Sequence, residues 1–270
     1  MVKHASRNKD MNRHVLPRFI QILVAIVIVS AAITTQAQAI MLVTRADEVR
    51  IGKQVEANSI KQYGGLSTDQ ALNSRVARVG ARVAAVSPRK DVTYTYRVVN
   101  SNIINAFAAP GGPVMITKAL AQMLTSDAEL AFVLGHETGH IAAQHGRKAI
   151  NRAMIAQGLV SLFAGNSGQT TQIGINIMYS LFESGYSRDQ ENEADKYGVT
   201  LMTKTGYSSD GAVKALAKLG LNRSSGLNKY FATHPDTPDR IDKVAKLGAI
   251  PKDREQALIK EAQAEQNAKK

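Results

Sequence analysis

Residues 131–146 read AFVLGHETGHIAAQHG and set His136, His140 and His145 in an apolar run. A histidine there gives up hydrogen bonds to water, and a buried polar group left unpaired costs ~1–3 kcal/mol, so a compensating partner is expected. Ser126, with Glu129 as its capping-box partner and Asp127 favourable to the helix dipole, predicts a helix that starts just before the run. Gly146 is its expected C-terminal stop. On that helix His136 and His140, four residues apart, share one face, so both imidazoles can reach a single metal ion. Glu137, one position round, is placed to act on a water beside that ion. His145 lies about 140° round from His140, which suits a supporting or surface role better than ligation.

Two histidines do not complete a catalytic zinc site, which takes three protein ligands and keeps a fourth position open. The third is sought in SRDQENEADKYG, residues 187–198, where Ser187 and Gln190 form a second capping box and Gly206 closes the helix. Glu191 and Asp195 are an i, i+4 pair there. One carboxylate can bind the metal while the other accepts a hydrogen bond from a ligand histidine. A solvated acidic helix face is the competing reading. Glu193 is a rival ligand, but it lies about 200° from Glu191 on the helix.

The surrounding pattern is α+β and mainly helical. Residues 46–63 and 67–86 read as helices; in the second, Leu72, Val76, Val79 and Val83 recur at helical spacing and Asp69 suits its N-terminus. VTYTYRVVN, residues 92–100, alternates and is β-branched and aromatic, hence a strand. INAFAAP and GPVMITKAL predict a hairpin whose second arm runs into a helix. Residues 150–183 read as two helices around a Gly-rich connection, AGNSGQTTQIG, as a surface loop or a lid. Residues 210–219 form a shorter helix, Asp236 or Thr237 caps one ending at Leu247, and the tail from Pro251 reads as a charged, frayed helix.

The chain begins with a basic segment, followed by FIQILVAIVIVSAAI at 19–33 and by Ala37 and Ala39 in a small-x-small pattern. This predicts a signal peptide at 1–39 cleaved after Ala39, with an uncleaved anchor helix as the alternative. The division expected is a leader at 1–39, one catalytic domain at 40–250 and a charged tail at 251–270. The net charge of +12 suggests an anionic partner. The leader's five basic residues against one acid account for four of those charges, and the rest are spread without a basic block interleaved with aromatics. With no Trp and 5% aromatic residues, nucleic-acid binding is not expected. Absence of cysteine leaves an exported fold to rest on its core or on a metal.

H-E-x-x-H followed about fifty residues later by E-x-x-x-D resembles the gluzincin metallopeptidases of the HtpX-like and CAAX-prenyl-protease-like family. NAFAAPGG before the first helix and HPDTPDRI after the second match further family segments in the same order. The resemblance covers roughly residues 46–247 and implies a zincin-like core. It implies one zinc per chain on His136, His140 and Glu191, with Glu137 as general base and Asp195 orienting a ligand. His234 and Arg240 then sit near the reaction centre, or His234 occupies the fourth zinc position and holds the enzyme inactive. Asn105, Ala106, Phe107 and Ala108 edge the cleft and pair with an extended substrate. Only the leader is apolar enough to span a membrane, so the chain resembles the soluble, exported branch that serves β-barrel assembly, as a stand-alone peptidase domain. The resemblance implies a periplasmic zinc endopeptidase acting on unfolded or misassembled envelope proteins, with peripheral membrane association left open. A zinc-containing, chaperone-like binding module is the alternative. An intact Glu137 speaks against it, since a structural site needs no base.

Overall fold

The computed structural model describes residues 43–158, 167–222, 226–235 and 239–268. The leader and its cleavage site, part of the Gly-rich connection and the expected caps Asp236 and Thr237 lie outside the described residues. Among the described residues no helix is long and apolar enough to cross a membrane.

Helix α1 (Arg45–Gln62) opens on Thr44, whose hydroxyl accepts from the Asp47 N–H while the Asp47 carboxylate accepts from the Thr44 N–H. Helix α2 (Gln70–Ala85) is capped by Asp69 and buries Leu72, Val76, Val79 and Val83 on one face, as their spacing predicts. Strands β1 (Thr95–Val99), β2 (Ala106–Ala108) and β3 (Pro113–Thr117) form one sheet in the order β1-β3-β2. The predicted hairpin is the antiparallel pair β2 and β3, and β1 adds to β3 in parallel. Its turn needs glycine: Gly112 has φ 130°, and a Cβ there would lie 2.1 Å from the Thr93 carbonyl oxygen.

The two-residue period of the strands divides the core. Val98, Ala106, Ala108, Val114 and Ile116 join one apolar cluster with α2 and later helices, while Val99, Phe107, Ala109 and Met115 join a second with α1. Strand β3, buried along its whole length, is the partition. It leads through Thr117 into α3 (Lys118–Met123).

Helix α4 (Asp127–Ala142) carries the HETGH stretch and packs along α7 (Arg188–Lys204). Glycine sets their separation. A Cβ on Gly135 would lie 3.1 Å from the Gly198 Cα, and one on Gly139 only 2.6 Å from the Tyr197 Cβ. Helices α5 (His145–Ala156) and α6 (Ser167–Ser184) cover the second cluster, and α8 (Asp210–Leu221), α9 (Tyr230–Thr233), α10 (Arg240–Leu247) and α11 (Lys252–Asn267) complete the chain. The described chain is therefore α+β, mainly helical, with one small mixed sheet.

Three local expectations are corrected. Helix α4 stops before Gly146: Gln144 takes the left-handed conformation, φ 59°, and Gly146 falls inside α5. A Cβ on Gly146 would lie 3.0 Å from the Met178 sulfur and 3.2 Å from Pro110, so packing explains this glycine. The Ser126 hydroxyl does cap the Glu129 N–H, but the Glu129 carboxylate turns to the Thr125 N–H and the Lys218 ammonium, at 3.0 and 2.7 Å, so the capping box is half formed. Lastly, the tail is a helix docked on α8, with Leu258 and Ala262 buried and Glu265 paired to Lys214 and Lys218.

Candidate metal centre

The i, i+4 spacing on α4 brings His136 Nε2 within 3.1 Å of His140 Nε2. The glycine-mediated approach of α7 places Glu191 at 3.4 to 3.5 Å from both nitrogens. His234, at the end of α9, adds Nδ1 at 3.2 Å from His136 Nε2 and 3.1 Å from Glu191 Oε1. One donor atom from each of these four buried residues lies within 4.8 Å of the others. Three imidazole nitrogens and a carboxylate so crowded suit a transition metal, zinc above all. The Glu191 Oε2 and both Glu137 carboxylate oxygens, all buried, have no hydrogen-bond partner among the described residues. The residues present fit a metal ion.

The nitrogens turned away from this point are also held. His136 Nδ1 lies 2.9 Å from Asp195 Oδ1, and Arg240 grips Asp195 through Nε and Nη2 at 2.9 and 2.8 Å. His140 Nδ1 lies 2.9 Å from His145 Nδ1, whose Nε2 lies 3.1 Å from Glu193 Oε2. His136 and His140 thus each have Nδ1 engaged and Nε2 left for a metal, whereas His234 offers Nδ1 and turns Nε2 toward the Ala106 carbonyl. Electrostatics favour ligation at Glu191 and His140. Burial pushes the Glu137 carboxyl up, against the pull of His234 and His136. Burial would also raise Glu191, but His234, His136 and hydrogen bonds from His140 and His234 hold it well below the usual range. Burial raises Asp195 too, and Arg240 and His136 outweigh it, leaving it lowered. Burial drives His140 well down, so its ring is neutral and has a lone pair to give. For His234 burial lowers the value, but Glu137 and Glu191 outweigh it.

Strand β2 edges the site. The Asn105 carbonyl accepts from Thr117 N–H and the Ala109 N–H donates to Pro113, so the intervening Ala106 and Ala108 turn their backbone groups to the open side. The Ala106 carbonyl is 3.4 Å from His234 Nε2. The Asn105 side-chain oxygen accepts from Ala106 N–H and the Thr233 hydroxyl at 2.9 and 3.2 Å. Phe107 turns its ring away from the metal donors, between Tyr63 and Phe182 at centroid distances of 5.2 and 5.3 Å. The sequence reading missed Tyr186, stacked on His140 at 3.9 Å, and Tyr230, stacked on His234 at 4.7 Å. No spacing pattern points to either tyrosine. Nor did it find Glu193, whose side chain is half exposed, as the outer end of the chain through His145.

Comparison with known proteins fits this geometry. Residues 70–247 match the model of Peptidase family M48. The chain is 34% identical over 180 residues to the mitochondrial metalloendopeptidase OMA1 of Arabidopsis thaliana, covering 65% of this chain and 35% of that protein. It is 28% identical over 201 residues to the metalloprotease YcaL of Escherichia coli, covering 70% and 78%. It is 26% identical over 185 residues to the putative beta-barrel assembly-enhancing protease of Vibrio cholerae, covering 64% and 38%. The chain thus spans from about a third to about three quarters of the length of these relatives. With the family model matched over more than half of its length and the HETGH and Glu191 donors gathered at one point, the chain belongs to peptidase family M48, the zinc metallopeptidases.

Proposed function

We propose that this chain is a zinc-dependent endopeptidase that hydrolyses unfolded or misassembled polypeptides of the cell envelope, exported behind the leader at 1–39 and working in the periplasm. In this reading the peptidase domain occupies 40–250, with 251–270 as a C-terminal segment. The carrying observation is the buried donor cluster of His136, His140, Glu191 and His234 beside a buried Glu137 carboxylate that makes no hydrogen bond among the described residues.

His136, His140 and Glu191 would hold the ion. Bound there, zinc supplies Lewis acidity that activates water and polarises the scissile carbonyl. Glu137 accepts the proton of the attacking water and returns it to the leaving amine. Its burial-raised affinity for protons suits both steps. Asp195 fixes the His136 ring, and Arg240 holds Asp195 in its charged form. The outward backbone groups of Ala108 pair with an extended substrate, joined by those of Ala106 when substrate displaces the Asn105 oxygen from its N–H and His234 from its carbonyl, which lets main-chain hydrogen bonds present many sequences to one site. Asn105 braces that edge through Thr233. Envelope quality control rests on the leader and on the name of the Vibrio cholerae relative.

The test is metal content together with cleavage of casein by the chain and by Glu137→Gln. One zinc in each, with cleavage by the unmutated chain alone, supports the reading; a folded chain without zinc overturns it. Zinc in both without cleavage favours a binding module or a latent enzyme. The closeness of His234 to Glu191 and His136 favours latency, with His234 as a fourth donor. His234→Ala separates the roles: higher turnover marks a gate, lower turnover a catalytic group.

A further inference from the structure

Beside the donor cluster, on the face of the sheet opposite the His136 helix, lies a cavity of about 110 Å³. Its walls come from segments far apart in sequence: Ser59 of α1 and Tyr63 just after it, Asn105 and Phe107 at β2, and Phe182 of α6, with Thr233 closing the end next to His234. Phe107 and Phe182 make the apolar wall, and Tyr63 continues it. The Asn105 side-chain oxygen accepts from the Ala106 N–H and from Thr233, so the polar rim nearest the metal donors is already engaged. Ser59 is different. It is 1% exposed, and its hydroxyl has no hydrogen-bond partner among the described residues. An unpaired buried hydroxyl is a standing cost that a ligand can relieve.

The register of β2 connects this cavity to a substrate. A strand paired to the outward groups of Ala106 and Ala108 sends alternate side chains to the two faces of the sheet. Phe107 and Asn105 point to the face that carries the cavity, and Thr233 is one residue from His234. A substrate side chain directed to that face falls into the cavity within a residue or two of the scissile bond.

We infer that this cavity is a side-chain subsite that selects a bulky residue with an apolar body and a hydrogen-bonding, uncharged tip, tyrosine foremost. The aromatic walls take the body. The Ser59 hydroxyl takes the tip. Glu183, exposed at the mouth, repels aspartate and glutamate. The inference rests on the peptidase reading and on substrate pairing with β2.

The experiment uses two peptides that differ only in tyrosine or phenylalanine beside the cut, chosen from sites mapped by mass spectrometry on casein digested by the zinc-loaded chain. Casein cuts should cluster on bulky residues at one fixed position, and kcat/KM should favour tyrosine. Ser59→Ala should lower the tyrosine-to-phenylalanine ratio about three- to tenfold, the range of one net hydrogen bond, while melting no earlier than the unmutated chain. An unchanged ratio, or cuts with no side-chain enrichment at any position, overturns the subsite and leaves the peptidase standing. Affinities of the same two peptides for zinc-loaded Glu137→Gln give the answer without turnover. Equal preference there before and after Ser59→Ala overturns the inference, even if the peptidase reading fails first.

Discussion

Helix α4 carries a buried charge network at each end, and the two are built to opposite rules. At its N-terminus Glu129 pairs with Lys218 at 2.7 Å, and Lys218 reaches Glu265 of α11 at 2.6 Å. In its second half His136, His140 and Glu137 meet Glu191, Asp195, His234 and Arg240. Both networks have buried centres, the first with its outer member Glu265 partly exposed. The first leaves none of its side-chain atoms among the buried groups of the described residues that lack a hydrogen bond, whereas in the second both Glu137 oxygens, Glu191 Oε2 and Arg240 Nη1 make none, and Glu137 Oε1 and Glu191 Oε2 meet the histidines only at ion-pair distances of 3.3 and 3.5 Å. A closed network holds helices together, while one with open valences keeps a place for something that binds.

The largest expected effect lies in the open network. Glu137→Gln removes the general base and should lower kcat by about 10²–10⁴ while one zinc per chain remains, as stopped-assay cleavage and metal analysis would register. Equal cleavage by both proteins would dissolve the contrast. In the closed network, Lys218→Met strands the Glu129 carboxylate and should cost ~3–5 kcal/mol in denaturant unfolding. Adding Glu129→Gln should recover most of that loss. If Lys218→Met instead lowered zinc affinity and spared stability, the two ends of α4 would not be distinct.

A finer test concerns His145, which touches the metal centre only through His140. His145→Ala should weaken zinc binding about 10–100-fold in competition with a chelator, with little change in the unfolding of the metal-free chain. A large loss of metal-free stability would move His145 from the metal centre to the core. The smallest effect is one of pH. Burial raises the Glu265 carboxyl, but hydrogen bonds from Lys214 and Lys218 bring it down to about 2, from an ordinary 4.5. A lowered value means stability that is complete above pH about 4.5 and fades as pH falls toward 2. Solvent screening of this partly exposed group keeps the amount below ~1 kcal/mol. Melting curves at pH 5 and 3 should converge on those of Glu265→Gln at the lower pH.

Local order made most of the metal centre legible. A helix ties His136, Glu137 and His140 to one another through its period, and the Ser187 cap with the Glu191 and Asp195 spacing does the same for α7. Less could be read where a residue's role depends on what lies across a packing interface. Gly146 looked like a stop because glycine ends helices, yet its neighbours Met178 and Pro110 come from other segments. Glu129 looked like a reciprocal cap, and a lysine 89 positions away claimed it. His145 reads as a supporting residue, but its link from His140 to Glu193 needs α7 to lie alongside α4.

The sequence by itself determined the chemical inventory of this protein: two imidazoles and a base within one helical turn, two carboxylates within another, and the strands and caps that frame them. Periodicity acts over a few residues and needs no knowledge of the rest of the chain. Only the tertiary structure decided that Glu191 meets the histidines, that His234 joins them as a fourth donor and that Phe107 turns away to wall a cavity with Ser59. Those outcomes depend on how closely glycine lets α4 and α7 approach and on which face of a three-residue strand each side chain takes. Such distances are settled by packing between segments tens of residues apart, where no local pattern reaches.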